Sequence, residues 1–290
     1  MNVAVSSLKE KTIDAEIAFF GGSFTAIDRE YMLSLLESTK DYIDKFKGIR
    51  ISTRPDAIDE EILDVLKSYK VTSIELGAQS MSDIVLRANE RGHSAEDVYN
   101  ASALIKSYGF SLGLQMMTGL YKSSNDLDVL TAQEFIKLNP DTVRIYPTVV
   151  LKNTTLESLL LSGEYNPPDV LEASKLCAKL IPMFENAGIK IIRVGLHDSD
   201  TLKSNMLGGA FHSAFRELCE SQIYFENIVT ELESENITNG EITVFVPKSD
   251  LSKAIGQKGI NKQKLINFGY KPKFYEDDTL AKRQVLIKKG

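Results

Sequence analysis

Short apolar runs alternate with amphipathic, charged stretches through the first two hundred residues, and this alternation restricts the chain to few architectures. The runs are rich in β-branched and aromatic residues, which is typical of strands buried on both faces, and the charged stretches have the length of helices. We therefore predict an α/β fold with βαβ units and a parallel sheet. Because each predicted strand ends in a polar or glycine-containing turn, the pattern indicates a barrel or partial barrel with its site in the loops that follow the strands. The predicted strands are Ile17–Phe20, Ile49–Thr53, Ser73–Leu76, Phe110–Met117, Thr142–Tyr146 and Ile189–Val194, and the predicted helices include Arg29–Phe46, Ile58–Tyr69, Ala95–Tyr108 and Leu127–Leu138.

The region from residue 205 to residue 236 has a different pattern, with apolar residues at helical spacing. It predicts one long helix whose apolar side rests on the barrel. The polar sequence "ESENITNGE" then marks a boundary. The predicted domains are a partial barrel (1–204), a connecting helix (205–237) and a small basic domain (238–290).

The formal net charge of −6 conceals an uneven distribution. Residues 238–290 contain eleven basic and five acidic side chains, a balance of +6, whereas the residues before them have a balance of −12. An acidic body joined to a basic segment suggests two modules with different partners. The basic segment has the predicted order strand, helix, helix, strand, and the two glycines of "GQKG" lie at the junction of its helices.

No apolar run approaches the roughly 18 residues needed to cross a membrane, and the first residues contain no apolar stretch typical of a secretory signal. We therefore expect a cytoplasmic protein without a membrane partner. The two cysteines, Cys177 and Cys219, lie in helical patterns without the spacing of a metal site or a disulfide framework. We interpret them as reduced residues packed on helices, and we predict no metal ligand.

The stretch "IAFFGGSFTAI" loses two successive side chains where the first predicted strand ends. Glycine is unfavourable there unless another group must come close to the backbone. Gly21 and Gly22 would expose bare peptide groups, and the small polar residues Ser23 and Thr25 follow them. The residues alone leave two interpretations open: a tight turn without a ligand, and a ligand-binding loop.

Several longer stretches follow one another in the order and approximate spacing of a known family. They are "FFGGSFTAI", "STRPD", "IELGAQS", "RGH", "RIYPTVVLKNTTLESLLLSGEY" and "GGAFHSAFRELCESQIY". With them the chain resembles the radical S-adenosylmethionine (SAM) proteins related to the catalytic subunit of Elongator, most closely the short bacterial branch that lacks an acetyltransferase domain. The resemblance covers nearly the whole chain, and the length of the fifth stretch makes it specific.

The resemblance implies a six-stranded partial (β/α) barrel that holds SAM and a four-iron four-sulfur (4Fe-4S) cluster. In the family, three cysteines of a CxxxCxxC-like loop after the first strand bind the cluster, and this sequence has no such cysteines. We therefore expect that the chain is truncated at its N-terminus, that its first predicted strand corresponds to the family's second strand, and that it cannot bind the cluster in the family's way. The expected fold is a partial radical SAM barrel without its first strand, followed by a small α+β domain.

The resemblance also assigns residues to SAM, and it assigns the glycine loop to the methionine moiety. Gln79 and Arg91 have the separation of a glutamine and an arginine in oxygen-independent coproporphyrinogen oxidase, a radical SAM relative. They would bind the ribose hydroxyls and the carboxylate, respectively. A guanidinium suits a carboxylate because it donates two parallel hydrogen bonds, although Arg91 is also explained as a cation at a helix end. The predicted SAM-binding residues are Gly21, Gly22, Ser23, Thr25, Ser52, Arg54, Gln79, Arg91 and Gln115.

Two further pairs of residues lie in the predicted strands. Glu75 and Gln115 need polar partners if those strands are buried, and Gln115 occupies the position where relatives place a ribose-binding residue. Tyr146 and Arg193 lie at the ends of the last strands. By resemblance, the substrate would meet the 5′-deoxyadenosyl radical there, and Arg193 is explained equally well as a salt-bridge residue. We assign no catalytic residue.

The sequence "AIGQKGINKQKL" resembles the GxxG loop of KH domains, which holds the backbone of a few single-stranded nucleotides. The predicted RNA-binding residues are Gly256, Gln257, Lys258, Gly259 and Lys262, and Lys264 adds positive charge. A small capping domain whose glycines only turn the chain is the alternative.

Together these features predict a radical SAM protein that modifies RNA, tRNA in particular, with a reductant such as flavodoxin or ferredoxin as a further partner of the active form. The alternative is a protein with a degenerate barrel that binds SAM or RNA and performs no chemistry. An unrelated parallel α/β barrel enzyme ranks last, because it leaves "RIYPTVVLKNTTL" unexplained.

Overall fold

The computed structural model describes Ser7 and residues 13–290. Among them, the strands are Glu16–Phe19 (β1), Gly48–Thr53 (β2), Val71–Gln79 (β3), Ser111–Thr118 (β4), Thr142–Pro147 (β5), Val149–Leu151 (β6), Lys190–Val194 (β7), Met206–Gly209 (β8), Gly240–Val246 (β9), Tyr270–Glu276 (β10) and Leu286–Lys289 (β11). The helices longer than one turn are Arg29–Glu37 (α1), Glu60–Ser68 (α2), Asp83–Ala88 (α3), Ala95–Ser107 (α4), Asn125–Leu138 (α5), Thr155–Leu161 (α6), Val170–Asn186 (α7), Asp200–Asn205 (α8), Phe215–Ser234 (α9), Leu251–Ile255 (α10) and Ile260–Asn267 (α11).

These elements divide into two compact units, each of which uses discontinuous segments of the chain. The basic segment predicted from the sequence lies wholly in the second unit. That unit also includes stretches that the sequence analysis placed in the barrel. The first unit contains the residues up to Thr148 with Leu159–Pro167 and Met183–Arg193, and the second contains Val149–Ser158, Pro168–Pro182 and Val194–Gly290.

The first unit is built on a parallel six-stranded half-barrel sheet, in the order β1-β2-β3-β4-β5-β7. The sheet confirms the α/β class and all six predicted strands, whose ends shift by only a few residues. Several of the intervening helices begin at polar caps that satisfy free backbone N–H groups. Asp59, Ser94 and Ser124 each accept a hydrogen bond from the backbone N–H three residues ahead.

One predicted helix is shorter than expected. The sequence predicts a helix over Arg29–Phe46, but α1 ends at Glu37 and a 3₁₀ turn follows at Ile43–Lys45. The hydroxyls of Ser38 and Thr39 donate to backbone carbonyls three residues back, at 2.6 and 2.7 Å. Such side-chain bonds offer the backbone an alternative to continuing the helix.

The strands of the half barrel alternate between an apolar outer face and a polar inner face. Outward residues such as Ile51, Ile74 and Leu114 are nearly fully buried beneath the helices. Residues between them, such as Ser52 and Glu75, lie on the concave face, because successive side chains of a strand point to opposite sides. The concave face therefore collects the polar residues of neighbouring strands.

The second unit corrects the prediction of one helix over residues 205–236. Residues 206–209 form β8, which pairs in antiparallel fashion with β6, and the helix α9 begins only at Phe215. Gly209 has a φ of +101°, which a continuous α-helix does not contain.

The C-terminal part of the second unit is a three-stranded sheet in the order β10-β9-β11, covered on one face by helices. β9 runs parallel to β10 and antiparallel to β11. The expectation that the apolar side of α9 rests on the barrel is not what the structure shows from Tyr224 onward. Tyr224, Ile228 and Leu232 belong to the core of this sheet. Across the described residues, no helix has the length and apolar character needed to span a lipid bilayer.

Candidate functional site

A network of charged side chains lies on the concave face of the half barrel. Glu75 on β3 is only 1% exposed, and its carboxylate accepts hydrogen bonds from two arginines. Arg144 donates through Nε at 2.6 Å and Nη2 at 3.0 Å, and Arg50 donates through Nη1 at 3.2 Å. The sequence predicts that Glu75 needs a polar partner, but it does not identify either arginine. Each arginine is a charged residue at an inward position of a predicted strand, and this pattern could have indicated a buried ion pair.

Glu16 on β1 extends this network to the edge of the sheet. Its carboxylate accepts from Arg50 Nη2 at 2.6 Å, from Ser73 at 2.6 Å and from Thr72 at 3.0 Å. Burial by itself would raise the pKa of Glu16, but the hydrogen bonds from Ser73 and Arg50 outweigh burial and lower that pKa. The charges of this network therefore compensate one another.

Gln115 connects the charged network to the strand ends. Its amide nitrogen donates to Glu75 Oε2 at 2.8 Å and to Ser52 Oγ at 3.1 Å. Both amide hydrogens are thus used, and among the described residues no donor reaches the amide oxygen. The structure therefore brings together two predicted SAM-binding residues, Ser52 and Gln115. It leaves the Gln115 oxygen available to accept from a ligand hydroxyl.

Arg91 is the predicted ligand residue with the most unusual surroundings. Its Nη2 lies 3.3 Å from the sulfur of Met117, near the end of β4. Its Nε is buried and has no hydrogen-bond partner among the described residues. Burial lowers the pKa of Arg91. A desolvated guanidinium without an anion is unfavourable, and a bound carboxylate would supply the missing charge and acceptors.

The glycine pair lies at the same edge of the sheet as Gln79, because parallel strands end together. Gly21 has a φ of +114°, which requires glycine. A Cβ at either Gly21 or Gly22 would have no neighbouring atom within 4 Å, so packing inside the protein does not explain Gly22. Open space beside exposed peptide groups fits a ligand that approaches the backbone.

Two other predicted SAM-binding residues have internal partners. The hydroxyl of Thr25 lies 2.6 Å from that of Thr53 and 2.6 Å from the carbonyl oxygen of Ala57. It therefore fixes the glycine loop to the loop after β2. Arg54 pairs with Asp56, through Nε at 2.7 Å among other contacts. Ser23, the residue before the 3₁₀ turn that begins at Phe24, makes no side-chain capping bond.

The two predicted substrate residues lie on neighbouring strands of the half barrel. The hydroxyl of Tyr146, on β5, accepts from Arg144 Nη1 at 3.5 Å, and the ring of Phe20 lies 5.0 Å from the same guanidinium. Arg193 lies on β7. Nothing in these contacts tests a role in substrate binding, which stays a prediction.

The residues of this chain do not fit a 4Fe-4S cluster. Its only cysteines, Cys177 and Cys219, are fully buried and contact each other in the second unit. The described residues contain no group of three cysteine, histidine or acidic side chains arranged to bind a metal ion. SAM does fit, through the Arg91 Nε and the Gln115 amide oxygen, which have no partner among the described residues, and through the open space at Gly22.

In the second unit, the predicted RNA-binding loop connects α10 and α11. Gly256, Lys258 and Gly259 have φ values of +81°, +54° and +74°. Gly256 is tightly enclosed, since a Cβ there would lie 2.8 Å from Ser221 Oγ, whereas a Cβ at Gly259 would meet nothing within 4 Å. Gln257, Lys258 and Lys262 are exposed. The loop therefore has one packed glycine and one open glycine, with cationic side chains at its surface.

Two family models match the chain. The model of the radical SAM superfamily matches residues 4–135, and the model of the Radical_SAM C-terminal domain matches residues 140–224. The two matches together span most of the chain, and the basic segment 238–290 lies outside both.

The similar proteins include enzymes and Elongator subunits. The tRNA uridine(34) acetyltransferase of Dehalococcoides mccartyi is 24% identical over 225 residues, which is 64% of this chain and 49% of that protein. Elongator complex protein 3 of Homo sapiens is 29% identical over 192 residues, which is 58% of this chain and 35% of that protein. The chain thus spans half or less of the length of these curated relatives.

A solved structure agrees with the observed fold. The archaeal Elp3 of Methanocaldococcus infernus, with an N-terminal deletion, superposes with a TM-score of 0.66 at 23% identity, over 81% of this chain and 58% of that one. This structure shares the fold, while the two family matches show that the chain belongs to the radical SAM superfamily, with Elongator complex protein 3 among its curated relatives.

Proposed function

We propose that this chain binds SAM at the carboxyl ends of the strands of its half barrel. The observation that carries the proposal is the buried, unpartnered Nε of Arg91. In this arrangement Arg91 binds the carboxylate of the methionine moiety, and the peptide groups of Gly21 and Gly22 lie along that moiety. Gln115 accepts from a ribose hydroxyl, because Glu75 and Ser52 already take both of its amide hydrogens.

Bound SAM would supply a carbon group that is activated by its attachment to the sulfonium sulfur. The chain's own residues hold the ligand and fix its orientation. Glu75 positions Gln115, and Thr25 fixes the glycine loop by bonding to Thr53 and Ala57. These 290 residues contain two cysteines, not the three that would bind an iron–sulfur cluster, so the proposed function involves no step through one.

Calorimetric titration with S-adenosylhomocysteine tests this proposal, because that analogue keeps the carboxylate and the ribose. We expect saturable heat with the unchanged chain and with Arg87→Ala, which removes an exposed arginine of the nearby helix α3. Arg91→Ala should weaken binding by about ten- to a hundred-fold, the usual cost of losing a hydrogen bond to a charged group. Equal affinity of both variants, or no heat with any of them, would contradict the proposal.

We propose RNA, with tRNA as the specific class, as the second ligand and as the substrate of the modification reaction. The similarity of this chain to a tRNA uridine(34) acetyltransferase supports this substrate class. The +6 balance of residues 238–290 and the glycine loop with its exposed lysines support an RNA contact in the second unit.

Filter binding to bulk tRNA tests the RNA proposal. Binding should weaken steeply as salt rises, and Gly259→Asp should abolish it by placing a carboxylate where phosphates approach. Gly259→Ala, which carries the same positive-φ strain without the carboxylate, is the matched control and should keep binding. Binding that does not respond to salt, or that survives Gly259→Asp, would count against the loop.

A second function, binding of SAM or RNA without chemistry, is favoured by the location of the cysteines. Both are buried in the second unit, away from solvent and in contact with each other. Anaerobic reconstitution with iron and sulfide separates the two functions for this chain. A stable iron–sulfur absorbance band favours a radical enzyme, and saturable binding of S-adenosylhomocysteine without such a band favours the binding protein.

A further inference from the structure

The three-stranded sheet of the second unit has one face in the core and one face toward solvent. Ile242, Val244 and Ile287 lie on the core side and are nearly fully buried. Because side chains alternate along a strand, the residues between them point away from the core. The pairing of β9 with β10 and β11 arranges these residues in two rows. We call them the open sheet face, with Tyr275, Phe245 and Leu286 in one row and Lys273, Thr243 and Lys288 in the next.

The first row is aromatic and apolar, yet it is exposed. The rings of Phe245 and Tyr275 have centroids 6.1 Å apart and planes inclined by 32°. Tyr275 is 52% exposed and Leu286 is 36% exposed. Rings of this size usually gain stability by burial, so packing inside the protein does not explain an exposed tyrosine paired with an aromatic neighbour on the outer face of a sheet.

The second row is cationic. Lys288 Nζ lies 5.1 Å from the centre of the Phe245 ring, and Lys273 lies beside Tyr275 on the same strand face. Two acidic residues act on the lysines of this face: the carboxylate of Glu241 is 3.9 Å from Lys271 Nζ and 3.8 Å from Lys273 Nζ, and Asp277 interacts electrostatically with Lys288. Exposed ion pairs at these distances are weak, so Lys271 and Lys273 can exchange Glu241 for another anion.

Aromatic rings beside lysines on an open sheet match the chemistry of single-stranded nucleic acid. Unpaired bases stack on exposed rings, and the adjacent phosphates pair with cations. A double helix keeps its base faces stacked inside and offers only the phosphates. The glycine loop does not belong to this surface, because α10 and α11 contribute Ala254 and Leu265 to the core on the opposite side of the sheet.

We propose that the open sheet face binds single-stranded RNA, with bases stacked on Phe245 and Tyr275 and phosphates paired with Lys273 and Lys288. The inference rests on the proposed function in taking RNA as the ligand, and it adds a second contact surface to the glycine loop. RNA would then contact both faces of one small domain.

A tryptophan reporter tests the stacking directly. The chain has no tryptophan, so Tyr275→Trp introduces the only one and retains a stacking ring. We expect a mixed-sequence single-stranded RNA of twelve nucleotides to quench its emission at saturation, and the same sequence as a duplex to leave it unchanged. Tyr275→Ala should weaken binding of the single strand about ten-fold. Tyr31→Ala, which removes a 58% exposed tyrosine of α1, should have no effect.

Salt titration and the glycine loop complete the test. Lys288→Gln should reduce the slope of log affinity against log salt by about one, whereas Tyr275→Ala should leave that slope unchanged. If Tyr275→Ala binds the single strand normally while Gly259→Asp does not bind it, RNA binding belongs to the glycine loop. The proposal that the open sheet face binds RNA is then overturned. If the unchanged chain binds no single-stranded RNA, the RNA part of the proposed function fails, and this inference with it. Quenching by apolar peptides or lipid vesicles but not by RNA would also overturn it.

Discussion

Two partly buried arginines of the half barrel differ in what surrounds them. Arg144 donates two hydrogen bonds to the carboxylate of Glu75, so its charge is compensated inside the protein. Arg91 has no carboxylate partner among the described residues, and its Nε is buried and unpaired. Both guanidinium groups lose hydration on folding. Only for Arg144 does the fold itself supply a carboxylate that compensates this loss. This difference is the reason why Arg91, and not Arg144, is the candidate for a ligand anion.

Asp128 provides a prediction about pH. It is 1% exposed on α5, and burial raises its pKa to about 6, although hydrogen bonds from Ser123 and the Gly119 N–H oppose the rise. Between about pH 4 and pH 6 the native state therefore holds a proton that the unfolded chain has released. The free energy of unfolding should fall as pH rises through this window, by up to about 3 kcal/mol.

Asp128→Asn isolates that effect, because an amide can bond to the same two groups without titrating. The free energy of unfolding, measured by urea denaturation at several pH values, should fall more for the unchanged chain than for Asp128→Asn between pH 4 and pH 6. Asp126→Asn, at an exposed position of the same helix, should follow the unchanged chain. If the free energies of unfolding of Asp128→Asn and the unchanged chain depend on pH in the same way, Asp128 is not protonated in the native state.

At the scale of elements, the turn between α10 and α11 contains two glycines that both have a positive φ. Gly256 and Gly259 both lie in the positive-φ region, at +81° and +74°, so any side chain at either position is strained. A Cβ at Gly256 would also lie 2.8 Å from Ser221 Oγ and 3.1 Å from the backbone nitrogen of Asn261. Asn261 is fixed there, since its amide donates to Ser221 and Ala254.

We therefore predict that Gly256→Ala destabilises the second unit by about 1–3 kcal/mol more than Gly259→Ala does. Both variants carry the backbone strain, and only Gly256→Ala adds the steric overlap, so Gly259→Ala is the matched control. Thermal or urea unfolding measures the difference. Equal stabilities would mean that Ser221 and Asn261 move aside without cost.

At the scale of the whole molecule, the two compact units should respond to different ligands. S-adenosylhomocysteine, at a free concentration of a hundred times its Kd, should slow amide hydrogen exchange in the first unit by up to about 100-fold where exchange requires unfolding. Single-stranded RNA should slow exchange in the segment from residue 240 to residue 290. Mass spectrometry of peptides from each unit measures both effects.

The same exchange data contain their own control, because each ligand leaves one unit as a reference. Slowing of both units by S-adenosylhomocysteine alone would contradict independent responses and would mean that the units unfold together. Slowing of the acidic body by RNA would contradict the assignment of RNA to the basic segment, whose balance of +6 contrasts with −12 in the residues before it.

The sequence by itself determined the parallel architecture. Six apolar runs separated by helical stretches were enough to predict all six strands, because the alternation of strand and helix is a local pattern. The turn residues also identified the glycine loops at Gly21 and at Gly256, since positive φ values leave a direct mark on the residue type. The resemblance then assigned a family, which the family matches confirm.

Only the tertiary structure decided which side chains meet. Glu75, Arg50 and Arg144 are far apart in the sequence and become neighbours only when β2, β3, β4 and β5 are placed side by side. The same holds for α9, whose apolar residues predicted a buried face but not the core that they join, since helical spacing carries no information about the partner. Partner choice depends on pairing between distant segments, and no single stretch of sequence contains it.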